Sequence, residues 1–141
     1  MTVQRAEVGL VSSSDDLVSF YRDVFELNVL EPRDLPTGKV HRLGIGDAIL
    51  KVMVPATRPA PAPAPSDQFW DTAGMRYFSL WVDDLDAVAH RCPNLGGTIS
   101  LGPLELRPGV RTMVIRDLDG NTVEVMEDLD GNTVEVMEDR S

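Results

Sequence analysis

Tyr77, Ser79 and Trp81 alternate with Phe78, Leu80 and Val82. A strand sends alternate side chains to opposite faces, so this stretch carries two aromatic rings and a hydroxyl on one side and an apolar set on the other. On a face open to ligand, the rings are stacking surfaces for a flat or hydrophobic guest. On a closed face, Trp81 fills space between sheets. Farther along, Thr122, Glu124 and Met126 alternate with Val123 and Val125, which leaves Glu124 as a carboxylate on one strand face. The Asp119-Gly120-Asn121 run before it supplies turn conformations that a β-branched residue would resist. No Ser-His-Asp set, Cys-His pair, phosphate-cradling glycine loop or paired zinc motif is written in the chain, and Gly44 and Gly46 mark only a turn. His41 and His90 stand outside any motif. The single cysteine, Cys92, reads as a small apolar residue rather than a nucleophile.

The elements that hold these residues follow from spacing. The apolar run Val8–Val11 ends in Ser-Ser-Ser-Asp, a strand leading to a helix cap. Leu17, Phe20, Tyr21, Val24 and Phe25 then recur at helical intervals. Extended segments are expected near residues 29–31, 39–45 and 48–54, with a tight turn at Gly44, Gly46 and Asp47 between the last two. Prolines alternating with alanine from Pro59 to Pro65 favour an extended polyproline spacer. The order then recurs: a strand over residues 75–82, a helix capped by Asp83 or Asp84 and carrying Leu85, Val88 and Ala89, a stop at Gly96-Gly97, and strands near residues 98–101, 110–116 and 122–126. The chain is therefore expected to be α+β, with a βαβββ module over 1–55, a Pro/Ala-rich linker over 56–73, a second βαβββ module over 74–128 and an acidic tail over 129–141. Two equivalent modules imply pseudo-twofold pairing and a concave surface between two sheets.

The tail is a tandem duplication. DLDGNTVEVMED runs from Asp117 to Asp128 and returns, starting at Asp128, with an offset of eleven residues. The strand over 110–116 leads into the first copy through a short turn. Use of the second copy would bulge a long insertion out of a tight hairpin. The first copy, and so Glu124 rather than Glu135, is expected in the fold.

With 141 residues, a single cysteine and no apolar run approaching 18 residues, the chain is expected to be one cytoplasmic domain with no membrane span. Its net charge of −10 repels nucleic acid and anionic lipid, although the duplicated tail contributes part of it.

FYRDVFEL after a strand and capped helix resembles a signature of the glyoxalase / bleomycin resistance / extradiol dioxygenase superfamily, the vicinal oxygen chelate fold. WVDDLDAV, then LGG, then GVRTMVIRDLDGNTVEV resembles that family's second module and its closing hairpin. The resemblance implies a cavity between curved sheets, homodimers, and up to four metal ligands on equivalent strands. The matching positions here are Glu7, Lys51, Tyr77 and Glu124. A protonated lysine has no lone pair for a metal, and a neutral phenol is a poor ligand. Lys51 is therefore expected where relatives hold a cation, between Glu7 and Glu124. The same resemblance turns Tyr77, Ser79 and Trp81 toward the ligand, adds Ile49, Met53, Arg111 and Met113 to the lining, and makes Phe69 and Trp70 a flap. The function it implies is binding of a small hydrophobic or aromatic molecule without a cofactor, as in antibiotic-sequestering members. The alternative is a metal-dependent lyase, isomerase or dioxygenase, with Glu7, His41 and Glu124 on a divalent ion and Glu124 or Glu7 moving a proton. A third reading is a metal-free enzyme with Glu124 as base and Lys51 as its electrostatic partner.

Overall fold

Spacing translates into elements closely. The computed structural model describes residues 2–129. They form β1 (Glu7–Val11), α1 (Asp16–Phe25), β2 (Asn28–Leu35), β3 (Gly38–Ile45) and β4 (Ala48–Pro55), then a 3-10 turn at Phe69–Asp71. There follow β5 (Tyr77–Val82), α2 (Leu85–Asn94), β6 (Thr98–Arg107), β7 (Val110–Arg116) and β8 (Thr122–Asp128). This is the α+β arrangement of two βαβββ modules expected from the sequence. The described residues divide into two compact units, the first ending at Pro63 and the second beginning at Ala64.

In the first unit the strand order is β1-β4-β3-β2, with β1 parallel to β4 and the other neighbours antiparallel. Leu43, Leu50 and Val52 lie on one face of this sheet and are fully buried. Helix α1 contributes Leu17, Phe20, Tyr21 and Val24 to the buried set. Each such side chain removed from water stabilises the fold by about 1.5–3 kcal/mol. Asp15 makes no side-chain cap; the Asp16 N–H donates instead to Ser14 Oγ at 3.3 Å. The helix stops at Glu26, which takes the left-handed conformation with φ 55°.

In the second unit the order is β5-β8-β7-β6, with β5 parallel to β8. Met113, Ile115, Val123 and Val125 are fully buried on the face that shares its core with Leu85, Val88 and Cys92 of α2. Two carboxylates fix the start of α2. Asp84 accepts the Ala87 N–H at 3.0 Å, and Glu127, from β8, accepts the Leu85 N–H at 2.7 Å. The turn between β7 and β8 is organised by the buried Asp117. Its Oδ1 accepts the backbone N–H groups of Asp119 and Asn121, both at 2.9 Å. Gly120 closes the turn at φ 86°, a conformation a side chain would resist.

Strands β2 and β6 run well past the short segments expected from the sequence. Both carry register shifts, at Leu30/Arg33 in β2 and at three places in β6. Each shift breaks the two-residue alternation by which a strand is recognised. The first copy of the duplicated hairpin forms β8, paired with β5 and β7; the second copy falls outside the described residues. No helix among them is long and apolar enough to cross a membrane.

Candidate functional site

Each sheet has a face turned away from its helix, and the sequence-expected site residues other than His41, Arg111 and Met113 divide over these two faces and the Phe69–Trp70 segment. In the first unit Glu7, Gly9 and Val11 alternate with the less exposed Val8 and Leu10. Register sets Gly9 opposite Lys51 and Val11 opposite Met53, so Glu7, Ile49, Lys51 and Met53 share this face. Gly9 leaves open space between Glu7 and Val11. The Lys51 Nζ lies 4.0 Å from Glu7 Oε2, with the two side chains 41% and 27% exposed. At that distance and exposure the pair is loose and partly solvated, worth at most about 1 kcal/mol. Arg42, opposite Lys51 on β3, is a second cation on the same face and donates to the Glu31 carbonyl oxygen at 3.4 Å.

His41 is not part of this group. It pairs with Val52, and Leu43 two residues on pairs with Leu50, which puts His41 on the helix side of the sheet. The expectation that His41 joins Glu7 is corrected by that alternation: the neighbouring Arg42 takes the position on the Glu7 face.

In the second unit Tyr77, Ser79 and Trp81 are exposed while Phe78, Leu80 and Val82 are partly covered. Ser79 is in register with Glu124, and its Oγ donates to Glu124 Oε1 at 2.6 Å. Tyr77 and Trp81 flank this pair along the strand, 50% and 52% exposed. The Phe69 ring lies over Tyr77 with centroids 4.5 Å apart, and Trp70 meets Phe69 edge-on at 5.0 Å. The segment before them is tied down by Arg116, whose guanidinium donates to the Ser66 carbonyl oxygen. Phe69 and Trp70 also line a cavity of about 240 Å³, together with Asp67, Gln68, Ser100, Leu101 and Val114.

Arg111 and Met113 are on the opposite face from Ser79 and Glu124, against the expectation that they line the site. Register pairs them with Glu127 and Val125, on the helix side. Met113 is fully buried there. Arg111 bridges Asp86 of α2, at 2.9 Å, and Glu127, at 3.3 Å. The Arg111 guanidinium holds the Asp86 carboxyl below its ordinary range, chiefly by hydrogen bonding. The misplacement has a physical cause. VRTMVIR is apolar at Val110, Met113, Val114 and Ile115, so both faces of the strand look like core, and the parity has to come from its neighbours. Thr112, Val114 and Arg116 occupy the site face instead. Cys92 is fully buried under α2. Its thiol is pushed up to about 11 by burial and by the negative charge of Asp117, far from a nucleophile.

As a donor set for a divalent ion the four equivalent positions fit poorly. Glu7 already faces an ammonium, Lys51 has no lone pair to give while protonated, Tyr77 offers a neutral phenol, and Glu124 is engaged by Ser79. Among the described residues no three His, Cys, Asp or Glu side chains gather as a metal-binding group.

The family model described as Glyoxalase/Bleomycin resistance protein/Dioxygenase superfamily matches residues 9–125. The chain belongs to this superfamily. The superfamily match ends inside the first copy of the duplicated hairpin, the copy that forms β8. No curated protein matches the sequence. Among solved structures, a glyoxalase family protein from Bacillus cereus is similar with a TM-score of 0.78 and 16% identity, covering 92% of this chain and 96% of its own. TioX from Micromonospora sp. ML1 has a TM-score of 0.62 and 20% identity, covering 92% and 100%. The genomically encoded fosfomycin resistance protein FosX from Listeria monocytogenes has a TM-score of 0.64 and 12% identity, covering 90% and 94%. At these identities the three share the superfamily fold with this chain.

Proposed function

We propose that this chain binds a small hydrophobic or aromatic molecule without a metal ion, on the aromatic face of its second unit. The carrying observation is the arrangement on that face: Tyr77 and Trp81 half exposed, Phe69 against Tyr77 with Trp70 edge-on to Phe69, and a hydrogen-bonded polar pair, Ser79–Glu124, between Tyr77 and Trp81. Rings that are immobilised yet accessible bind a flat guest at low entropic cost. The metal-free part of the reading is supported in the first unit. The Lys51 ammonium lies 4.0 Å from the Glu7 carboxylate, which supports a reading in which it supplies the positive charge there. The reading also includes a homodimer, to be examined by sedimentation.

A thermal-shift screen with small aromatic compounds, repeated on Tyr77→Ala and Trp81→Ala, tests the proposal. Stabilisation of the wild-type protein that both variants lose is the expected result; stabilisation they retain would place the guest elsewhere. A second reading, metal-free catalysis, is favoured by one contact: the Ser79 hydroxyl held 2.6 Å from a carboxylate that can take its proton. Turnover assays on compounds found in the screen separate the two readings, because a binder returns them unchanged.

A further inference from the structure

The cavity at Phe69 and Trp70 has a chemistry of its own. Phe69, Trp70, Leu101 and Val114 supply its apolar lining, and Asp67, Gln68 and Ser100 its polar lining. Ser100 Oγ is already spent on the Val114 carbonyl oxygen, at 3.3 Å. The Asp67 carboxylate, by contrast, has no hydrogen-bond or ion-pair partner among the described residues. Arg116 donates to the Ser66 carbonyl oxygen and Arg76 to that of Ala73, and neither forms an ion pair with Asp67. A guest therefore meets aromatic side chains, whose ring faces attract cations through the quadrupole, and a carboxylate with no direct ion-pair partner in the same lining. The net charge of −10 draws cations toward the molecule and disfavours anions.

We infer that this cavity selects small aromatic amines in their protonated form: the ring enters among Phe69, Trp70, Leu101 and Val114, and the ammonium sits at Asp67. The inference rests on the binding function proposed above; it extends the guest's contacts from Tyr77 across Phe69 into this cavity and adds the charge class of the guest. A volume of about 240 Å³ lies below the roughly 300–1,000 Å³ of drug-sized sites and suits a guest of one or two rings.

Three probes of like shape test it by calorimetry and tryptophan fluorescence: phenethylamine, phenethyl alcohol and phenylacetate. The expected order is amine, then alcohol, then carboxylate, with the amine ahead of the alcohol by about threefold to fivefold at low salt, as for one exposed ion pair. That advantage should shrink as salt screens it. Asp67→Asn should bring amine and alcohol level and leave the alcohol unchanged. Asp34→Asn, an exposed carboxylate change in the first unit, should leave the order intact, and Trp70→Ala should weaken all three probes. Trp70 is 61% exposed and Asp67 is also exposed, so neither change threatens folding. Binding with no preference for charge, or a preference that survives Asp67→Asn, overturns this inference alone. Binding unaffected by Trp70→Ala overturns the location. Failure of all three probes to bind overturns this inference, and the binding function falls with it only if the wider aromatic screen also finds no guest.

Discussion

Glu127 offers the most direct energetic check on the fold, because it exists in duplicate in the sequence and only once in the described structure. It is 7% exposed, accepts the Leu85 N–H at the start of α2 at 2.7 Å, and meets Arg111 at 3.3 Å. Glu127→Ala removes a charge-assisted hydrogen bond worth about 1.5–3 kcal/mol and strands the N–H of the fully buried Leu85. The Arg111–Asp86 contact at 2.9 Å survives and limits the damage to the guanidinium. The expected loss is therefore about 3 kcal/mol, or a fall of roughly 10 °C in Tm for a domain of this size. The counterpart of Glu127 in the second copy is Glu138. Glu138→Ala should change stability by less than about 0.5 kcal/mol. Both variants can be measured by urea unfolding, with Glu127→Ala also made in a chain ending at Asp128, where no second copy can substitute. A large loss from Glu138→Ala with a small one from Glu127→Ala would refute the assignment of β8 to the first copy. Losses under about 0.5 kcal/mol from both would refute the role of this carboxylate in fixing α2.

Three further outcomes are expected. Truncation after Asp128 should leave folding and ligand binding intact, measured by circular dichroism and thermal shift; unfolding of the shortened chain would make the second copy structural. Lys51→Met should cost less than about 1 kcal/mol, because its partner lies 4.0 Å away and both side chains are partly exposed; a loss above about 2 kcal/mol would mean that the pair is desolvated. Cys92 keeps its proton up to about 11 when folded, against 9.0 as an ordinary thiol. Between those values the unfolded chain releases a proton that the folded chain retains. The contribution of Cys92 is thus undiminished below pH 9.0 and falls by up to about 1.4 kcal/mol per pH unit as pH rises toward 11. Unfolding profiles of wild type and Cys92→Ala over that window should diverge, and parallel profiles would contradict the burial of the thiol.

Much of the fold was legible in the sequence, for reasons that can be named. The spacing of Leu17, Phe20, Tyr21 and Val24 and the alternation of Tyr77–Val82 each carry one clean period, and the Asp119-Gly120-Asn121 run marks its turn. Asp117, which organises that turn through several bonds, gave no comparable signal, because a lone aspartate before a turn is ordinary. The site was legible only where strand parity was unambiguous. Glu7 with Lys51, and Ser79 with Glu124, meet on their faces because β1 and β5 alternate strictly and pair in register with β4 and β8. Arg111 and Met113 were misplaced because β7 is apolar on both faces, and His41 because the polar residues of β3, Lys39, His41 and Arg42, fall on both parities. The cavity at Asp67 was invisible for a different reason. It forms when an irregular segment, residues 67–70, folds onto β6 and β7, and no periodicity records such an encounter.

Metal content tests the central reading most directly. Elemental analysis of the protein purified without chelators, joined to binding of a screened aromatic guest before and after dialysis against a chelator, should find no stoichiometric divalent ion and an unchanged Kd. One equivalent of a transition metal or magnesium per chain, with binding lost on its removal and restored on its return, would contradict the proposal that the Lys51 ammonium stands in for an ion.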